Sequence, residues 1–167
     1  GSRLVLGCVL GGMMATDYGG PINKAAYVTG TLALVSGQQD VMAAVMAGGM
    51  VPPLGVALSC LLFPEKFTRT ERRTVPQNLV MGASFVTEGA LPFALKDPLR
   101  VVPACIAGSA MAGCLAVMTN CSCPAPHGGV FLLAVMENPL GFILANAAGA
   151  LLTAVILGIT KKDAPQE

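Results

Sequence analysis

Residues 79–95 read LVMGASFVTEGALPFAL, a run with one charge, Glu88, near its middle. A lone carboxylate in a segment apolar enough for a bilayer is costly unless it faces protein, water or a ligand. Gly82, Gly89 and Pro92 also make the run a poor straight helix. Broken backbone at membrane depth survives only where it is buried in protein or lines a cavity. The run therefore predicts a re-entrant, substrate-facing hairpin over about residues 79–95 instead of a straight span.

The whole chain supports a membrane setting. Of its 167 residues, 54% are hydrophobic and 11% are charged, against about 25% charged in a soluble domain. The net charge is +1, with no basic run or interleaved aromatics, which argues against nucleic acid as a partner. The lipid bilayer is the expected surrounding. The chain opens directly into apolar sequence without an initiator Met, so Gly1-Ser2 reads as a cloning scar and the chain as a fragment. Six Cys lie mostly in apolar runs, where free Cys behaves as a small hydrophobe; they are read as unpaired.

Three segments are long enough to span: Val41–Phe63, Val101–Asn120 and Leu140–Thr160. Pro52-Pro53 predicts a kink in the first of them. Small residues at helical spacing (Ala43, Ala47 with Gly48-Gly49; Gly141, Ala145, Gly149) predict close helix packing. Leu4–Ala15 and Ala25–Ser36 are too short to span alone, and TDYGGPINK lies between them. That pattern fits a discontinuous helix broken at a polar centre, or an ordinary loop between two short helices. The fold class expected is all-α: a polytopic helix bundle with re-entrant hairpins over about 79–95 and 121–136.

Residues 65–73, EKFTRTERR, hold Lys66, Arg69, Arg72 and Arg73. The positive-inside rule puts a loop over about 64–78, and Lys161-Lys162 with it, in the cytoplasm. The charges agree with this scheme when both broken segments dip and return, or when both span.

Four places carry candidate chemistry. Thr87-Glu88 sits at the centre of the first broken segment, where a carboxylate accepts strong hydrogen bonds from hydroxyl groups; the bland alternative is a Glu paired with a Lys or Arg. His127, the only His, lies in PAPHGG, which excludes a regular helix. It is a donor, acceptor or switch, or simply a His satisfied by loop carbonyls. Asp17, Asn23 and Lys24 flank Gly19-Gly20-Pro21, as an internal ion pair, a ligand site or a solvated loop. Residues 65–73 form a solvated loop or a docking site for a cytoplasmic partner. Cys121 and Cys123 with His127 fit no standard zinc spacing, and no Walker-type phosphate loop occurs. No metal or cofactor is expected.

Gly19-Gly20-Pro21-Ile22-Asn23-Lys24-Ala25-Ala26, Thr87-Glu88-Gly89-Ala90-Leu91-Pro92-Phe93-Ala94, Asp97-Pro98-Leu99-Arg100 and Pro126-His127-Gly128-Gly129 occur in this order. Together they resemble the membrane component, enzyme IIC, of the bacterial phosphoenolpyruvate-dependent sugar phosphotransferase system, fructose family. The chain resembles the C-terminal half of such a domain. The resemblance implies a multi-pass inner-membrane permease that binds a hexose, usually fructose. It implies a cytoplasmic IIB partner, fed by IIA, whose phosphocysteine phosphorylates the sugar. It also implies a homodimer with separate scaffold and transport regions. The domain is then not catalytic alone. By the same resemblance, Glu88 and, through a looser match, His127 contact sugar hydroxyls, with Thr87, Asp17, Asn23 and Lys24 as further candidates. Two other readings stand beside it: an ion-coupled secondary transporter using Asp17 and Glu88, and a truncated scaffold that only associates with other chains.

Overall fold

The computed structural model describes residues 1–165. Eight α-helices account for the regular structure among them. They are α1 (Ser2–Met14), α2 (Pro21–Val35), α3 (Gln39–Leu62), α4 (Arg69–Arg73), α5 (Val75–Ala83), α6 (Leu91–Lys96), α7 (Pro98–Met118) and α8 (Pro139–Thr160). The protein is an all-α membrane helix bundle. Its strand-like pairing is confined to one isolated bridge between Ser122 and Glu137.

Helices α3, α7 and α8 are the ones long and apolar enough to cross a membrane. Their 24, 21 and 22 residues give roughly 36, 32 and 33 Å at 1.5 Å per residue. A hydrocarbon core is about 30 Å thick. Three helices, α2, α7 and α8, begin with Pro, whose fixed φ suits a first helical position and whose missing N–H costs nothing there. Helix α3 is the axis: 89% of its apolar window is buried, against 44% for α7 and 50% for α8. Small residues make the packing close, as the sequence leads one to expect. A Cβ on Gly48 would meet the backbone of Gly11 in α1, and one on Gly149 would lie 2.6 Å from the Gly108 carbonyl of α7.

The two ends of the bundle differ in charge. One end carries the ion pairs Lys66–Asp163 (2.7 Å), Glu71–Lys96 (3.4 Å) and Asp97–Arg100 (3.1 Å). Lys161 also sits there, 5.0 Å over the Phe67 ring. The other end carries Arg3–Asp40 at 3.2 Å and the Ser122–Glu137 bridge.

Between the long helices, three interrupted segments turn back inside the bundle. Helix α1 runs antiparallel to α7, with Gly7 against Gly113 and Gly11 against Ser109. Helix α2 returns to the end where α1 began, so Arg3 and Gly37 line one cleft. TDYGGPINK is thus a loop between two short helices plus the first turn of α2, not the centre of one discontinuous helix. Helices α5 and α6 form a second helix–turn–helix, rising from the charged end. The stretch over 64–78 is partly structured: a 3-10 turn at Pro64–Lys66, then α4, then the first residues of α5. Helix α4 starts with a capping box, in which Thr68 and Glu71 satisfy each other's backbone N–H groups. Residues 121–138 hold no α-helix, only a 3-10 turn at Gly129–Leu132. Asn138 closes this excursion. Its side chain accepts from Gly141 N and donates to the Thr119 carbonyl.

Candidate functional site

The tip of the α5–α6 hairpin is fixed by a fault in α3. Pro53 has no N–H, so it cannot donate to the carbonyl of Gly49 four residues back. A buried carbonyl left without a partner is costly. The Thr87 hydroxyl donates to it at 2.9 Å. Pro53 lies inside α3 without ending it, and the expected kink site has become an anchor. Gly49 lies near the middle of α3, so Thr87 and its neighbour Glu88 are held near mid-depth of the bundle.

This anchor predicts a measurable cost. Thr87→Val leaves the Gly49 carbonyl buried and unpaired and lowers stability by about 1–3 kcal/mol. Thr87→Ser keeps the hydroxyl and most of the stability. Thermal unfolding of the purified variants in detergent checks both.

The turn above Thr87 meets the excursion from the opposite end. Phe85 takes a left-handed conformation, φ 62°, and its ring lies 5.0 Å from the His127 ring and 6.3 Å from Tyr27 of α2. Gly129, at φ 58°, packs directly on the backbone of Ala83 and Phe85. The third interrupted segment arrives at Gly19. A Cβ there would lie 2.5 Å from Glu88 Oε1. Three chain breaks thus converge at mid-depth.

They enclose a cleft of about 280 Å³ lined by Met14, Asn23, Tyr27, Phe85, Val86, Thr87, Glu88 and His127. Four residues singled out from sequence meet here: Asn23, Thr87, Glu88 and His127. Asn23 donates from its side chain to the Met14 carbonyl at 2.7 Å, which leaves its carbonyl oxygen to accept. Glu88 is exposed to the cleft and has no ion-pair partner among the described residues. Phe85, Tyr27 and Met14 supply apolar walls that no motif flagged; a reader of the sequence sees in them only ordinary core residues.

Asp17 and Lys24 are not brought into this cleft. Asp17 accepts from the N–H groups of Ile22 (2.7 Å) and Asn23 (2.9 Å), which caps the start of α2. Lys24 points away and is exposed. The sequence left the two open as an internal ion pair, a ligand site or a solvated loop; the carboxylate is used on backbone. The thiols of Cys121 and Cys123 hydrogen-bond to the carbonyls of Asn138 and Ala125, which ties down the excursion carrying His127. All six Cys are free.

Glu88 borders a second cleft. A groove of about 170 Å³ runs between α5 and α6 from Glu88 and Gly89, past Asn78 and Thr74, to Glu71 and Lys96 at the charged end. The same carboxylate therefore stands between a mid-depth cleft and a groove leading to one face of the bundle.

Comparison with known proteins finds curated relatives along the whole chain. The chain is 48% identical, over its full length, to the "PTS system fructose-specific EIIABC component" of Bacillus subtilis. It is 49% identical, again over its full length, to the "Fructose permease IIC component" of Bacillus amyloliquefaciens. It is 50% identical over 99% of its length to the "PTS system fructose-specific EIIB'BC component" of Rhodobacter capsulatus. The chain is thus similar, over its whole length, to part of a fructose-family IIC component. It spans 26%, 55% and 29% of those three relatives. No family model and no solved structure matches it. The sequence motifs GGPINK, TEGALPF and PHGG are the three chain breaks that the fold brings to one place.

Proposed function

We propose that the chain is the sugar-binding part of a fructose permease, translocating a hexose across the bacterial inner membrane while a cytoplasmic IIB partner phosphorylates it. The observation that carries this reading is Glu88: a mid-depth carboxylate without an ion-pair partner among the described residues, lining both the central cleft and the groove to the charged end. The cleft, about 280 Å³, lies just below the usual range of ligand pockets, roughly 300–1,000 Å³, which suits a ligand as small as a monosaccharide. Carboxylate, amide and imidazole groups over apolar rings suit a molecule with hydroxyls on its edge and C–H groups on its faces. The charged end, with Lys66, Arg69, Arg72, Arg73, Arg100, Lys161 and Lys162, faces the cytoplasm by the positive-inside rule. The α5–α6 hairpin is then re-entrant from the cytoplasm, and residues 121–136 dip from outside.

In this reading Glu88 accepts hydrogen bonds from ring hydroxyls and polarises the one to be phosphorylated. The phosphorus–sulfur bond of the IIB phosphocysteine breaks and an oxygen–phosphorus bond to the sugar forms. The hydroxyl proton leaves toward the carboxylate. Such transfer depends chiefly on positioning and electrostatics. Relatives whose names join B and C components support a IIB partner, and IIA would recharge it. A homodimer is the expected assembly.

The test is sugar uptake by cells that make the protein, with and without the cytoplasmic phosphoryl donors. The expected result is accumulation of sugar phosphate only when the donors are present, with fructose favoured in a panel of hexoses and hexitols. Uptake that persists without donors but collapses with the proton gradient would replace this reading with ion-coupled transport.

A further inference from the structure

The groove that leaves Glu88 ends on a cation held in an unusual way. Lys96 is the last residue of α6, and its side chain is 55% exposed. Its one ion pair among the described residues is to Glu71 Oε1, at a long 3.4 Å. Glu71, by contrast, is buried at 8% and already well supplied. Its other oxygen accepts from the Thr68 N–H at 2.8 Å and the Thr68 hydroxyl at 3.2 Å. The carboxylate thus keeps its capping role without Lys96, and the ammonium is loosely tethered. The contact is long, the ammonium is half-exposed, and Glu71 keeps its Thr68 hydrogen bonds when Lys96 leaves, so Lys96 can exchange partners.

Lys96 also lines a second, polar cleft of about 340 Å³ at the charged end, together with Arg100, Lys161 and Lys162. The carboxylates facing this cleft are Glu71, Asp97 and Asp163; Asp97 is engaged by Arg100 and Asp163 by Lys66. The groove from Glu88 and the basic cleft therefore meet at the Glu71–Lys96 pair. A molecule moving from Glu88 to the charged end passes hydroxyl and amide groups first and a cationic mouth last.

We infer that Lys96 recognises the phosphate monoester of the transported sugar at this mouth, exchanging its contact with Glu71 for the phosphate. This inference rests on the permease reading and adds a binding group for the product. A sugar and its phosphate then prefer different ends of one path. The neutral sugar is held at Glu88. The phosphate ester carries charge that Glu88 repels and Lys96 attracts. Lys suits the task because a compact ammonium on a flexible stem can follow the phosphate as a point charge.

The experiment is binding of fructose, of fructose 1-phosphate and fructose 6-phosphate, and of inorganic phosphate to the purified protein in detergent, at two ionic strengths. Three proteins are compared: wild type, Lys96→Gln and Glu71→Gln. Lys96→Gln is expected to weaken binding of a sugar phosphate about tenfold and to leave fructose binding within about twofold. Glu71→Gln keeps a capping box, since Gln serves at that position, and releases Lys96. It is expected to tighten sugar-phosphate binding, and the gain should shrink as salt rises. If Lys96→Gln leaves phosphate-ester binding unchanged, or if Glu71→Gln weakens it as a purely structural pair would, the inference is overturned. If wild type binds the phosphate esters but no fructose, the permease reading fails instead. If inorganic phosphate binds as tightly as the esters, the mouth is a general anion site and recognition of the sugar ester is refuted.

Discussion

Glu88→Gln is expected to lose fructose binding by at least about 100-fold while the protein stays folded in the membrane. Two charge-assisted hydrogen bonds at the lower end of about 1.5–3 kcal/mol each account for that factor. The amide keeps the shape of the side chain but loses the charge and one acceptor position. Because Glu88 makes no ion pair among the described residues, its neutralisation leaves no orphaned cation behind, and thermal unfolding should barely move. Equilibrium binding of labelled fructose, with unfolding as the control, reads the result. Wild-type affinity in the variant removes Glu88 from the sugar site.

Gly19→Ala is the second large effect, and it comes from the opposite side of the same carboxylate. Gly19 has φ 98°, a conformation an L side chain adopts only at a cost of about 1–2 kcal/mol. The added methyl would also lie 2.5 Å from Glu88 Oε1 and 3.0 Å from its carboxyl carbon. These are atoms of an exposed, flexible side chain, so Glu88 gives way and the contact itself adds little to the cost in stability. Stability should fall by about 1–2 kcal/mol from the backbone conformation, and sugar affinity should fall as well because Glu88 is displaced. Gly37 is the built-in comparison: it also has positive φ, 84°, but a Cβ there meets nothing within 4 Å. Gly37→Ala should cost stability alone. Equal loss of sugar affinity in the two variants would show that Gly19 acts through backbone strain and not through Glu88.

The long helices were legible because length and apolar content alone specify them; α3, α7 and α8 begin and end within three residues of the spans read from sequence. The converging breaks were legible as breaks, since Gly, Pro and isolated polar residues mark them locally. Their meeting was not, because nothing in a linear pattern says that Phe85 stacks near His127 or that Gly19 abuts Glu88. Thr87 shows the limit well. Sequence marked it as a ligand and marked Pro53 as a kink, but only the fold joins them through the Gly49 carbonyl. Asp17 stood in the sequence as a candidate binding group or half of an ion pair; the fold shows it accepting from the first N–H groups of α2, a capping use that a lone carboxylate before a Gly-Pro turn does not distinguish from a ligand. The start of α5 was hidden by Pro76, which breaks a helix interior but is welcome in its first turn. The Thr68-x-x-Glu71 capping box was in plain sight and signalled α4 inside what was read as loop.

The most direct test is a structure of the protein solved with bound fructose. The sugar should lie in the central cleft, with hydroxyls on Glu88, Asn23 and His127 and a face over Phe85 or Tyr27. A fructose molecule seated instead in the polar cleft around Arg3, Asp40 and Glu137, with the central cleft empty, would contradict the assignment of Glu88 as the sugar-binding carboxylate.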